Sequence, residues 1–172
     1  MTFSSKTEYG VRLMVELGRQ SGERPTSLKA IAEAEGLPLS YLEHVVADLK
    51  KAGLVQSSRG AHGGYLLARP PAEIAMDEVV LALEGSVAPM DCLTTVAPGR
   101  VACSHEADHG RSCSTRLLWM RVQTGVIRAL QSTTLAELVE FSRCGVGDPL
   151  PLATAAEPVK PGSTMPEPVK AG

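Results

Sequence analysis

The sequence predicts a mainly α-helical chain with a small β-hairpin wing: a winged helix-turn-helix followed by a long C-terminal dimerisation helix. Three observations lead to this fold class. Two short helical segments flank a Gly-Leu-Pro turn at 36–38, a glycine-rich hairpin pattern occupies 54–68, and an apolar stripe runs along 114–131. Helix, turn, helix and hairpin in this order are typical of a domain whose second helix enters a DNA groove.

The first helix is predicted over about residues 6–20, because apolar side chains recur there at helical spacing. Its inward face consists of Val11, Leu13, Met14 and Leu17. The charged residues expected largely on the opposite face are Glu8, Arg12, Glu16 and Arg19. A second, shorter helix begins at about Ser27 and ends at Gly36, since serine favours the start of a helix and glycine its end.

The third helix carries the clearest pattern in the chain. Ser40 and Glu43 have the spacing of a capping box, in which each side chain hydrogen-bonds the other's backbone N–H. Behind this pair lies an i, i+3, i+4, i+7 apolar stripe formed by Leu42, Val45, Val46 and Leu49. Gly53 ends the helix, and the strands 54–57 and 65–68 follow, joined by a turn in which glycine permits positive φ.

The rest of the chain divides into three further regions. The winged domain (1–85) ends with a helix over about 76–84 that stops at Gly85; a cysteine-containing loop (86–113) and two dimerisation helices (114–144) follow. The apolar stripe of the long helix consists of Leu118, Trp119, Val122, Val126, Ala129 and Leu130. A second capping box, Thr134 with Glu137, starts the final helix, which runs to about Arg143. The Pro-rich tail (145–172) is predicted to be disordered.

Composition narrows the class of protein. The chain has 172 residues, of which 44% are hydrophobic and only 3% aromatic, so its core must be aliphatic. We expect a cytoplasmic protein with no membrane association, because no apolar run approaches the roughly 18–20 residues of a membrane span. The net charge is −2, but residues 1–70 hold nine Lys and Arg against seven Asp and Glu, which permits DNA binding in that half.

The exposed end of the third helix and the hairpin tip are the candidate DNA-binding elements. The helix offers Ser40, Tyr41, Glu43 and His44, and the hairpin offers Arg59 and His62. Helix residues at this position read base edges, whereas wing residues reach a phosphate or a minor groove. Taken singly, Glu43 is equally well explained as a helix cap and Arg59 as a solvated turn residue. No catalytic Ser/His/Asp set or carboxylate pair is evident, so we do not expect an enzyme.

Several segments together resemble the IscR/NsrR/CymR group of bacterial regulators, the Rrf-two superfamily. The resemblance rests on the segments 5–10, 40–43, 49–55, 58–60, 63–70 and 83–85, and it extends over about residues 1–144. The Arg-Gly-x-x-Gly-Gly-Tyr sequence of the wing is its most specific part. The resemblance implies a homodimer in which the long helices of two copies cross, and a pseudo-palindromic double-stranded operator. It also implies that Ser40, Tyr41, Glu43 and His44 face the major groove and that Arg59 enters the minor groove.

Three cysteines, Cys92, Cys103 and Cys113, lie in the loop, and the residues alone allow several chemistries. Three thiolates suit an iron–sulfur cluster, a Cys₃His set suits zinc, and a cluster-free thiol sensor needs no metal. Cys144 is interpreted as structural or incidental.

The resemblance implies a cluster, [2Fe–2S] or [4Fe–4S], on these three cysteines with one non-cysteine ligand. That ligand is either Glu8 of the partner subunit, supported by Arg12, or His105 or His109 within the loop. The Cys–Cys spacings of ten and nine intervening residues are wider than in the better-known cluster-binding members, which leaves the cluster type and ligand set open.

Three functions are consistent with these patterns. The first is a DNA-binding regulator, expected to be a repressor, that senses redox state, nitric oxide or iron–sulfur status. The second is a regulator of the same fold that senses a thiol oxidant, a metabolite or a partner protein without a cluster. The third is a winged-helix protein-interaction module, which would show no salt-dependent binding to promoter DNA.

Overall fold

The computed structural model describes residues 3–20, 24–60, 63–90, 93–94 and 113–144. Its elements are α1 (Ser5–Arg19), α2 (Leu28–Glu35), α3 (Leu39–Lys51), β1 (Val55–Ser58), β2 (Gly64–Leu67), a 3₁₀ turn (Pro71–Glu73), α4 (Met76–Glu84), α5 (Ser114–Gln131) and α6 (Leu135–Cys144). This order confirms the predicted fold class. The predictions for His62, Cys92, Cys103, His105, His109 and the tail lie outside the described residues.

Helix α1 is the centre of the domain, with α2, α3, α4 and α6 packed around it. Leu13, Met14 and Leu17 are buried as predicted, while Val11 is half-buried against the same core. Two glycines allow neighbouring helices to approach α1 closely. A Cβ on Gly10 would overlap Leu83 of α4, and a Cβ on Gly18 would lie 2.5 Å from Val139 Cγ2 of α6.

The prediction that Glu16 lies on the charged outer face of α1 is wrong. Glu16 is buried, where Gln20 Nε2 donates to its carboxylate at 2.6 Å and Arg19 lies 3.4 Å away. Burial of this carboxylate is tolerated because it has these two polar partners. Helical spacing predicted an outer position for Glu16, whereas the folded chain buries this side chain.

The turn between α2 and α3 is made by three residues with distinct roles. Gly36 ends α2 in the left-handed conformation (φ 64°), Leu37 is buried, and Pro38 is the N-cap of α3. The predicted capping box at Ser40 and Glu43 is wrong, because α3 begins at Leu39 without a side-chain cap hydrogen bond. Ser40 and Glu43 therefore lie in the first turns of the helix with their side chains exposed.

The wing is an antiparallel hairpin docked onto the segment before α2. Strands β1 and β2 pair in the register Val55↔Leu67 to Ser58↔Gly64. Thr26 extends this sheet by a bridge to Tyr65, with backbone N–H···O distances of 3.0 and 2.8 Å. A Cβ on Gly64 would lie 2.6 Å from the Thr26 carbonyl carbon, so this bridge requires glycine at position 64.

The second half packs back onto the domain through α4 and α6. Helix α5 contacts α4, and an isolated bridge joins Ala75 to Thr134. The predicted capping box of α6 is confirmed, because the Thr134 N–H donates to Glu137 Oε2 at 2.7 Å and the Glu137 N–H donates to Thr134 Oγ1 at 3.3 Å. Within the described part of the chain, no helix has the length and apolar character needed to cross a membrane.

The first turn of α1 is tied to the end of α4 by one carboxylate. Glu84 Oε1 accepts hydrogen bonds from the Ser4 N–H at 2.7 Å, the Ser4 hydroxyl at 2.8 Å and the Thr7 hydroxyl at 2.6 Å. The Thr7 hydrogen bond is the largest cause that lowers the pKa of Glu84 below its usual value. Because the folded-state pKa is depressed, this contact stabilises the fold above the ordinary carboxylate pKa and weakens as the pH falls through the folded value.

Candidate DNA interface and cysteine site

The N-terminal half of α3 presents all four predicted base-reading residues to solvent. Ser40, Tyr41, Glu43 and His44 are exposed, whereas the opposite face of the helix is buried against the core. The buried stripe fixes the rotation of α3 about its axis, because turning the helix would expose Leu42, Val45 and Leu49. The structure thus brings the predicted helix residues together on one accessible face.

Tyr41 has a partner that the sequence did not indicate. Its ring lies edge-on against Tyr9 of α1, with ring centroids 5.3 Å apart and an interplanar angle of 79°. Such edge-to-face pairs are favourable by about 0.5–1.5 kcal/mol beyond the area they bury. The pair leaves Tyr41 38% exposed, so one part of the side chain packs on α1 while another remains accessible.

Two further contacts hold α3 in place. Lys6 of α1 lies 2.6 Å from Asp48 of α3 and donates to the Leu83 carbonyl of α4 at 3.0 Å. The Lys6 hydrogen bond lowers the pKa of Asp48 below its usual value. In the same C-terminal turn of α3, Lys50 Nζ donates to the Ser57 hydroxyl at 2.8 Å, which links the helix to the wing. Helix and wing are therefore joined by side chains as well as by sequence.

The wing tip carries the exposed Arg59. The next residue, Gly60, has a φ of 122°. The sequence patterns did not single out two other exposed lysines near the helix-turn-helix, Lys51 at the end of α3 and Lys29 at the start of α2. Lys29 lies 3.8 Å from Glu33 with both side chains largely exposed, so this pair contributes little. Exposed cations around a candidate recognition helix are suited to phosphate contacts.

Of the predicted cysteine-site residues, the structure describes Cys113 and Glu8. Cys113 is the half-buried N-cap residue of α5, and its sulfur lies 3.0 Å from Thr115 Oγ1. A helix N-terminus favours a thiolate, so this position fits a cysteine ligand. Glu8 is exposed in the first turn of α1. Among the described residues, no group of three or more His, Cys, Asp or Glu side chains lies close enough together to hold a metal ion.

The predicted support of Glu8 by Arg12 is wrong in this structure. Arg12 Nε donates to Glu35 Oε2 of α2 at 2.9 Å, and its Nη2 donates to the Glu35 backbone carbonyl. Glu35, at the end of α2, thus accepts from both Arg12 nitrogens. This pair links α1 to the helix-turn-helix rather than supporting Glu8. Cys144 is exposed and is the last residue of α6.

Helix α5 has one apolar face packed and another left open. Trp119, Val126 and Leu130 are half-buried, whereas Leu118 and Val122 of the predicted stripe are exposed. The exposed fractions of Leu117, Leu118 and Met120 are 56%, 55% and 48%. Leu118 and Val122 lie one turn apart on the same face of the helix, and exposed apolar side chains that share a face are typical of a protein–protein interface.

A winged helix-turn-helix with an exposed candidate recognition helix is typical of DNA-binding transcription regulators, and the comparisons with known proteins agree. The family model Rrf2, described as an iron-dependent transcriptional regulator, matches residues 3–141. The chain belongs to the Rrf2 family of transcriptional regulators, which bind DNA.

Similar proteins support this membership. The chain is 38% identical over 142 residues to the HTH-type transcriptional regulator CymR of Bacillus subtilis, covering 83% of this chain and 92% of that protein. It is 38% identical over 139 residues to the HTH-type transcriptional regulator IscR of Photorhabdus laumondii, covering 81% of this chain and 79% of IscR.

Two solved structures share the fold. One is CymR of B. subtilis, described as the global cysteine regulator, with a TM-score of 0.65 at 37% identity over 82% of this chain and 98% of that one. The other is T. potens IscR, with a TM-score of 0.66 at 35% identity over 87% of this chain and 94% of that one.

Proposed function

We propose that the chain acts as a homodimer on a pseudo-palindromic operator, with α3 in the major groove and the wing on the adjacent backbone or minor groove. The observation that carries this proposal is the exposed face formed by Ser40, Tyr41, Glu43 and His44, beside a wing that bears Arg59. The Lys50–Ser57 hydrogen bond supports it, because a fixed angle between helix and wing lets both elements meet one duplex together. His62 is assigned to the same wing contact.

Replacing Arg59 by Gln tests the wing contact. We expect operator affinity to fall about 10-fold and the slope of log K against log salt to drop by about 1, as for the loss of one phosphate-type contact. Fluorescence anisotropy with a labelled DNA fragment from the promoter region of the protein's own gene, at several salt concentrations, measures both quantities. Arg128→Gln, which removes an exposed cation from α5, is the matched control. Unchanged affinity and slope in Arg59→Gln would contradict the wing assignment.

The homodimer is assigned to the open face of α5. Leu118, Val122, Gly125 and Ala129 recur at i, i+4, i+7 and i+11, which places them along one stripe of the helix. Gly125 has open space around the position of a Cβ, and the other three side chains are exposed. A small residue between larger apolar ones suits the close crossing of two helices. Two copies of α5 that cross here would bury this stripe in one symmetric contact.

The cysteine site is proposed to bind an iron–sulfur cluster through Cys92, Cys103 and Cys113, with the partner's Glu8 completing the ligand set. The placement of Cys113 at the α5 N-terminus and the exposure of Glu8 support this set. The family model's description as iron-dependent also supports it. When bound, such a cluster supplies iron that responds to redox state, nitric oxide and iron supply.

The chain's own residues provide a route from this site to the DNA. Glu8 lies on α1 between Lys6 and Tyr9, the two residues of this helix that contact α3 at Asp48 and Tyr41. A change in the position of Glu8 would therefore be passed to the recognition helix through contacts one and two residues away. Half-sites lie about 34–36 Å apart, so a small rotation of each α3 prevents simultaneous docking.

A visible absorption spectrum with iron and sulfide analysis, on protein purified without oxygen, tests the cluster. We expect broad visible absorption with stoichiometric iron and sulfide, lost in the triple variant of Cys92, Cys103 and Cys113 to Ala and retained in the control Cys144→Ala. A colourless wild-type protein that resists reconstitution would contradict the cluster and leave DNA binding in place. If the analysis found zinc and no sulfide, the cysteines would hold a zinc ion rather than a cluster.

A further inference from the structure

A cavity of about 480 Å³ lies between the C-terminal end of α1, the Thr26 segment, the wing and the Pro70–Pro71 turn. Its volume lies within the range of about 300–1,000 Å³ that is usual for small-molecule sites. Leu17, Leu67 and the two prolines provide apolar walls. No function described above uses this cavity, which lies against the wing strands rather than against the exposed face of α3.

The polar side chains that line the cavity differ in how many hydrogen bonds and ion pairs they make. Thr26 donates to Gln20 at 3.0 Å, and Arg69 donates to the Glu73 carbonyl at 3.1 Å and to Glu78 at 2.6 Å. Arg24 has no hydrogen bond or ion pair within the described ranges, although its side chain lines the same cavity. Gln56 makes one weak bond, from its Nε2 to the Leu67 carbonyl at 3.4 Å.

Among the described residues, the lining carries a net positive charge. It includes two arginines and no described aspartate or glutamate, and Arg69 is already paired with Glu78. Within the described part of the chain, Arg24 is thus the lining cation without an acidic partner, and it lines the same cavity as the apolar side chains. Arginine binds carboxylates in a bidentate geometry, and such charge-assisted hydrogen bonds are stronger than neutral ones.

We propose that this cavity is a binding site for a small carboxylate with an apolar body. Arg24 pairs with the carboxylate, the Gln56 amide is a second donor, and Leu17, Leu67 and the prolines enclose the apolar part. The occupant would contact α1 and both wing strands at once, so its binding would stiffen the attachment of the wing to the domain. The site rests on the cavity alone and requires neither the proposed cluster nor the proposed operator contacts.

Isothermal titration with two matched probes tests the site. 4-Phenylbutyrate offers a carboxylate on an apolar body, and 4-phenylbutan-1-ol has the same body without the charge. We expect saturable binding of the acid at one site per chain, and binding about 10-fold tighter than that of the alcohol, or about 1.4 kcal/mol, since hydrogen bonds to charged groups are stronger than neutral ones. Equal binding of the two probes, or no saturable binding of either, would overturn the proposal.

Three variants locate the binding. Arg24→Gln is expected to remove the preference for the acid, whereas Arg128→Gln, which removes an exposed arginine of α5, should keep it. Ala68→Phe places a ring on an exposed lining residue and should weaken both probes at least about 10-fold by filling the cavity. Retained acid preference in Arg24→Gln, or unchanged binding in Ala68→Phe, would place the probes elsewhere and refute the site.

Discussion

Leu118→Glu is expected to convert the dimer to a monomer and to lower operator affinity at least about 100-fold. The substitution places a carboxylate on the open apolar face of α5, which is proposed to be buried between two copies. An uncompensated buried charge costs about 3–5 kcal/mol, and each 1.4 kcal/mol corresponds to a factor of about 10. Sedimentation velocity measures the oligomeric state, and anisotropy with the operator measures the affinity.

Gln131→Glu is the matched control for this variant. It adds the same charge to an exposed position at the end of the same helix, away from the stripe of Leu118, Val122 and Ala129. This control should remain dimeric with nearly unchanged DNA binding. If Leu118→Glu sedimented as a dimer and bound the operator like the wild type, the interface would have to lie elsewhere.

Gly64→Ala is expected to lower the free energy of unfolding by about 2–4 kcal/mol, since a strained backbone costs about 1–3 kcal/mol and each lost hydrogen bond about 1 kcal/mol. The added Cβ would overlap the Thr26 backbone, which cannot move aside as a flexible side chain can. The bridge between Thr26 and Tyr65 would break, and the wing would lose its attachment to the segment before α2. Urea unfolding followed by circular dichroism measures the change.

Gly36→Ala separates the stability cost of steric overlap from the stability cost of the left-handed backbone conformation. Gly36 has φ +64°, but no atom lies within 4 Å of the point that a Cβ would occupy, so only the left-handed backbone is penalised. The expected loss is about 1 kcal/mol. If Gly64→Ala were no more destabilising than Gly36→Ala, the close approach of Thr26 would not explain the glycine at position 64.

Local patterns predicted the ends of helices correctly where one or two nearby residues determine where the helix starts or stops. Gly36 and Gly85 end α2 and α4 as expected, and the Thr134–Glu137 box forms, because these effects act within a few residues. The Ser40–Glu43 box fails for an equally local reason. Pro38 occupies the N-cap position with a φ of −66°, so the helix begins at Leu39 and Ser40 lies inside it.

Contacts between distant segments were beyond the sequence patterns. Arg12 pairs with Glu35 rather than Glu8, and Tyr9 packs on Tyr41, because packing of α1 against α2 and α3 brings these side chains together. Helical spacing gives the face of a residue but not its neighbour across an interface. The burial of Glu16 and the Thr26–Tyr65 bridge were missed for the same reason.

Helix α1 connects the proposed sensing and DNA-reading functions. Its first turns carry Glu8 together with Lys6 and Tyr9, which contact α3, while Gly10 allows α4 and α3 to pack closely against it. Close-packed interiors transmit strain, so a displacement at Glu8 is expected to reach the neighbours of α1. Occupancy of the cysteine site and the orientation of the recognition helix are therefore expected to change together.

Operator affinity measured by fluorescence anisotropy under anaerobic conditions, before and after removal of iron from the same preparation, tests the central claim most directly. We predict at least about a 10-fold difference between the two forms, corresponding to a coupling of about 1.4 kcal/mol between the sites. The triple Cys→Ala variant should match the iron-free form. Equal affinity in the iron-loaded, iron-free and triple-variant proteins would contradict the claim that the cysteine loop controls DNA binding.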